Sequence, residues 1–159
     1  MVKPRFLIYR TILFAILVLF GANGFAQDQD LNVQRITLEA KKKVQIAKYM
    51  QFTNQQDKDF WNIYANYERD MGNVYRRKFD MIVEFRRANE ANRMTDNLAA
   101  KMLDEFFSIE NEKLLIKQKY VKEFRKILPN KKVTLFYQID NKLDAIVNHE
   151  IAMKLKLLE

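Results

Sequence analysis

The residues of a type that could carry out chemistry are one histidine, His149, and several close acidic pairs, such as Asp104/Glu105 and Glu110/Glu112. A carboxylate pair serves as general acid and base when its surroundings lift one pKa toward neutrality. Neither pair lies in a context that would build such a cleft, so both read as solvated helix faces. A lone imidazole with no cysteine or carboxylate cluster beside it makes a poor metal site. His149 therefore reads as a surface or interface residue. The sequence has no glycine-rich phosphate loop, no serine nucleophile motif and no metal-ligand spacing. The chain reads as a non-enzyme with neither cofactor nor metal.

Charges that fall inside apolar patterns are more informative. Lys78 interrupts the seam Phe60, Tyr64, Tyr67, Met71, Val74, Met81, Phe85. Glu110, Lys113 and Lys117 fall within the apolar arc of the next helix. On a structural reading the lysine stems lie along apolar surface and Lys78 pairs with Glu110. On a functional reading Trp61, Phe79, Arg86, Lys113 and Lys117 form a client-binding surface, apolar patches interrupted by cations. Short apolar contacts and attraction for acidic stretches would let such a surface hold many unfolded segments weakly, and flexible methionines would help it adapt.

The elements that must position these residues are helices. Beyond residue 26 the chain has only Gly72 and Pro129 as turn formers, too few for sheets and their hairpins. Lys, Glu, Ala, Leu, Met, Gln and Arg dominate, all good helix formers. The first helix is expected over 32–50, capped by Asp30 or Asn32. It would present Val33, Ile36, Ala40, Val44, Ala47 and Met50 on one face, with Lys41, Lys42, Lys43 and Lys48 largely off it. The second runs from Thr53 to about Ala91. Thr53 and Gln56 form a capping box there, and Phe52 precedes it. The third runs from Thr95 to about Leu128, with Leu103, Phe107, Leu114, Val121, Phe124 and Leu128 on one stripe. Met102, Phe106, Ile109, Ile116, Tyr120 and Ile127 lie beside that stripe. After Pro129 and Asn130 the fourth covers about 131–155, with Phe136, Ile139, Leu143, Ile146 and Met153 inward. A turn near residue 92 sets Lys78 near Phe106, Met71 near Lys113 and Tyr67 near Lys117. The expected fold is all-α, an extended four-helix protomer with two long antiparallel helices. Their apolar arcs are wider than one neighbour can cover, which argues for a dimer or a client-binding face.

The first 26 residues predict where the protein works. Lys3, Arg5 and Arg10 precede the apolar run from Thr11 to Phe20, and Gly24-Phe25-Ala26 places small residues at a cleavage site. That order is the layout of a secretory signal peptide. Its uncharged stretch, Thr11 to Ala26, is shorter than the roughly 20 residues a spanning helix needs; a retained N-terminal anchor is the alternative. Cleavage would leave 27–159 as one domain with no stable membrane insertion and lower the net charge from +8 to +5. A mixed charge of that size argues against direct nucleic-acid binding. The absence of cysteine rules out disulfides and a lipid-modified cysteine.

Phe52-Thr53-Asn54-Gln55-Gln56 resembles the L/F-T-x-x-Q signature of the Spy/CpxP-type periplasmic proteins. Phe60-Trp61-Asn62-Ile63-Tyr64-Ala65-Asn66-Tyr67-Glu68 is similar to the F-W-P-I-Y-x-x-Y-E run of a related group of small exported proteins. Those proteins are often labelled sensors of extracytoplasmic-function sigma factors. The tail from Ile127 to Leu143 is similar to their closing helix. A second copy of the signature would start at Met94-Thr95, but Leu98 stands in its glutamine place. The resemblance implies a periplasmic four-helix protomer and a cradle-like homodimer. It also implies either ATP-independent holding of unfolded proteins or docking on an envelope signalling protein during envelope stress.

Overall fold

A computed structural model describes residues 40–158. The features below belong to the compact unit Lys41–Glu159. The signal peptide and the expected start of the first helix lie outside the described residues. The described residues form an all-helical fold of four helices: α1, described over 40–50; α2, Asn54–Glu90; α3, Asp96–Arg125; and α4, Asn130–Lys154. None of the described residues lies in a strand, and no helix among them is long and apolar enough to cross a membrane.

The helix starts follow from their caps. The Gln56 amide donates to Thr53 Oγ1 at 3.3 Å, and the Thr53 amide donates to Gln56 Oε1 at 3.3 Å. Two of the amides that an α-helix leaves without partners are thereby satisfied. Phe52 packs on Phe60 with ring centroids 4.6 Å apart. Thr53→Ala is expected to cost about 1 kcal/mol, the usual loss of an N-cap, read as a lower urea midpoint with the helical spectrum unchanged. Thr95 caps α3 by accepting from the Leu98 amide at 3.2 Å, so the second threonine keeps its capping role without a partner glutamine. The turn between α2 and α3 places Asn92 at φ +50°, a left-handed conformation that asparagine tolerates.

The joint between α1 and α2 is secured from a distance. Gln51 sits at φ +45°, and Lys132 of α4 donates to its carbonyl at 2.7 Å and to Gln56 Oε1 at 2.9 Å. At this end all four helices contribute to one aromatic core. Phe60, Tyr64 and Tyr67 of α2, Phe124 of α3 and Phe136 of α4 are fully buried, with Ile46 and Met50 of α1 among them. Phe124 and Phe136 approach to 4.8 Å between centroids, and Phe60 and Phe124 to 5.2 Å. Tilted and stacked ring contacts of this kind add to plain apolar burial.

Several expected faces are rotated. On α1 the inward residues are Lys42, Ile46 and Met50, while Val44, Ala47 and Lys48 are exposed. Lys42 turns in because a buried carboxylate awaits it. The α2 seam holds through Val74 and then passes to Ile82 and Arg86 in place of Met81 and Phe85. A straight helix with 3.6 residues per turn drifts away from a strict seven-residue repeat. On α3, Met102, Ile109, Tyr120 and Phe124 face in, and Leu103, Phe107 and Leu114 face out. The last buried residue of α4 is Asp140, and Ile146 and Met153 are exposed.

Candidate functional site

Two features compete for attention, a buried ionic cluster and an uncovered apolar face. The cluster begins on α4, where Asp140 stands one turn after Phe136 and Asp144 one turn after that. Asp140 has no exposed surface; it pairs with Lys42 of α1 and, at 2.8 Å, with Lys117 of α3. The Tyr67 hydroxyl of α2 donates to it at 2.9 Å. Asp144 receives Lys113 and Lys117, each at 3.1 Å, and the Tyr75 hydroxyl at 2.7 Å. Lys117 also donates to Asn141 Oδ1 at 2.7 Å. Three ammonium groups and two carboxylates thus join α1, α3 and α4, and the Tyr67 and Tyr75 hydroxyls bring in α2.

Their electrostatics are those of a closed network. Burial alone would raise the Asp144 carboxyl, but Lys117 and Lys113, with the Tyr75 hydroxyl bond, outweigh it and hold the group below its ordinary value. Burial would lower Lys117, but Asp140 and Asp144 carry it above. Burial, and then the nearby carboxylates, push the Tyr67 and Tyr75 hydroxyls far up, so both remain donors. Asp144, Lys117 and the two tyrosines therefore neither give nor take a proton near neutrality.

Lys113 and Lys117, expected on a client surface, instead direct their ammonium groups into this cluster, with side chains only 14% and 15% exposed. Trp61 is half-buried; its indole N–H donates to Asp57 at 2.8 Å, and its ring packs edge-on to Phe60 and Tyr64. Phe79 is half-buried and Arg86 buried. The five residues do not come together as one open surface. Phe52, Thr53 and Gln56 occupy the cap expected of them.

The acidic pairs on α3 are not merely solvated. Arg77 pairs with both Glu105 and Glu112, and Lys78 bonds Glu110 and Asn148, each at 3.1 Å. The Lys78–Glu110 contact agrees with the structural reading of that lysine but lies one turn from the expected Phe106. The α2–α3 connection runs from Ala91 to Thr95, so its centre is nearer 93 than 92. Asp104 and His149 are exposed. Among the described residues no cluster of histidine and acidic side chains could hold a metal ion.

Sequence reasoning missed Asp140, Asp144 and the inward turn of Lys42. The signal was present: Asp140 and Asp144 continue the four-residue step from Phe136, so an inward Phe136 carries both carboxylates inward.

The uncovered face lies on α3. Leu103, Phe107, Leu114 and Leu115 are all more than half exposed, with Phe106 at their edge. Phe106 and Phe107 contact each other edge to face at 5.4 Å. Water-facing apolar side chains gathered on one helix mark an interaction site more often than chance. No known family model matches the chain, and neither a curated protein nor a solved structure shows significant similarity to it.

Proposed function

We propose that this chain is an exported, non-enzymatic holdase that binds apolar segments of unfolded proteins without ATP. The observation that carries the reading is the run of exposed Leu103, Phe107, Leu114 and Leu115 on α3. Beneath it, ion pairs of Arg77, Lys78, Lys113 and Lys117 fasten α3 to α2 and α4. Early α2 meets late α3 through Phe60–Phe124, Tyr67–Tyr120 and Asp70–Lys119, and later α2 meets earlier α3 through Arg77–Glu105, contacts that support an antiparallel course for the two long helices. A fixed helix presenting an apolar stripe is a suitable base for weak, unspecific capture. The client surface is therefore drawn on the outer face of α3, not around Lys113 and Lys117. The order of Lys3, Arg5, Arg10, the apolar run and Gly24-Phe25-Ala26 supports export to the periplasm. We include a homodimer in this reading, since the face is open enough to receive a second helix.

The test is suppression of aggregation of several unrelated denatured proteins in the absence of ATP. Purified protein is expected to suppress all of them. The triple variant Leu103→Gln, Phe107→Gln, Leu114→Gln is expected to lose most of the activity while its melting curve stays close to that of the parent. Failure of the parent protein with every client would favour the competing function, docking on one envelope signalling protein.

A further inference from the structure

The outward row of α3 has an unusual symmetry. About a point between Glu110 and Asn111, Phe107 mirrors Leu114, Leu103 mirrors Gln118, Ala100 mirrors Val121 and Asp96 mirrors Arg125. On each side the steps are four, three and four residues, the alternation that keeps side chains on one seam of two packed helices. Val121 is half-buried and the other seven are exposed. A second α3 laid antiparallel on this face would meet the same row in reverse order. Phenylalanine would then meet leucine twice at the middle, and Asp96 would meet Arg125 at both ends. A parallel copy would oppose like charges at both ends, which disfavours it. Antiparallel pairing of one surface with itself is the isologous contact of a two-fold dimer. A helix of 30 residues offers roughly 45 Å of such contact at 1.5 Å per residue, and Asn111 at the centre supplies a polar position that fixes register.

We infer that the resting occupant of this face is a second copy of the chain, paired through α3 about Glu110 and Asn111, so that self-association hides the client surface. The masking rests on the holdase reading; the self-pairing rests on the row alone. Clients and the second copy compete for Leu103, Phe107 and Leu114, and dilution or client excess opens the face.

Charge exchange tests this, using the protein as its expressing cells process it. Sedimentation equilibrium over a concentration series is expected to show a reversible monomer–dimer equilibrium. Asp96→Lys alone, or Arg125→Glu alone, turns two attractions per dimer into two repulsions. Each is expected to weaken association roughly tenfold, since exposed pairs are individually small. The double variant Asp96→Lys, Arg125→Glu restores complementarity and is expected to regain the parent's association. Circular dichroism checks that α3 remains helical in all three. At concentrations where the parent dimerises, the single variants are expected to hold more client per chain. A parent that stays monomeric, or a double variant no better than the singles, overturns the pairing. Restored pairing with equal holding by all variants overturns the masking. Restored pairing with no holding by any variant overturns the holdase reading and the masking, and leaves the register standing.

Discussion

Asp140→Asn is expected to destabilise the protein by about 3–5 kcal/mol, the range seen when one partner of a buried ion pair is removed. Asparagine keeps the shape of the side chain and an oxygen for the Tyr67 hydroxyl. It removes the negative charge that lies between Lys42 and Lys117. Two ammonium groups are then left facing each other in a site from which water is largely excluded. Against a usual stability of about 5–15 kcal/mol, that loss is severe. Urea unfolding followed by circular dichroism measures it. A loss under about 1 kcal/mol would mean that water or rearranged lysines replace the carboxylate at little cost. The same logic makes Lys113→Glu and Lys117→Glu mutations of the fold, because each would place a third carboxylate beside Asp140 and Asp144. The neighbouring groups fix the pH window. Asp144 is held below its ordinary 3.8, so its contribution is complete above that value and lost as pH falls through the lower folded one. Lys117 is held above 10.5, so its contribution is complete below that value and lost as pH rises past it. Across the range between them these two groups leave stability insensitive to pH.

Phe136→Ala is expected to cost a similar 3–5 kcal/mol, by a different mechanism. Phe136 is fully buried and touches the rings of Phe60, Tyr64, Tyr67, Phe124 and Tyr137. Removing its ring takes away apolar burial and leaves a cavity whose walls belong to three helices and cannot all collapse. Phe136→Leu retains most of the volume and should cost markedly less. Thermal unfolding of the two variants separates cavity formation from the loss of ring contacts. Equal losses would show that ring geometry, not volume, controls the site.

Much of this architecture was legible in the residues. The scarcity of Gly and Pro, the capping box at Thr53 and the breaks at Asn89–Arg93 and Pro129 mark four helices, and α2 begins and ends within a residue of the expectation. What was not legible is the rotation of each helix about its axis. Periodicity identifies an apolar stripe, but α3 has two adjacent stripes, and only packing against α2 and α4 decides which one is buried. Met102, Ile109 and Tyr120 face inward, so Leu103 and Phe107 are left outside. The same choice decides the charges. Lys113 and Lys117 look like a cationic client surface until Asp140 and Asp144, more than twenty residues later, supply their partners. Apolar periodicity carries no record of long-range ion pairs, so a polar side chain with a buried partner is read as surface. Lys42, paired with buried Asp140, is such a side chain.

Trp61 has a use beyond its packing. It is the only tryptophan in the chain, so ultraviolet emission excited at the red edge of aromatic absorption comes from one known place. The indole lies against Phe60 and Tyr64, with centroids 5.2 Å and 5.3 Å away, and is anchored by Asp57. Its colour therefore reports whether the aromatic core is closed, and excitation through the adjacent tyrosine reports the same event by energy transfer. The unlabelled protein carries its own optical gauge of opening at the end where all four helices meet.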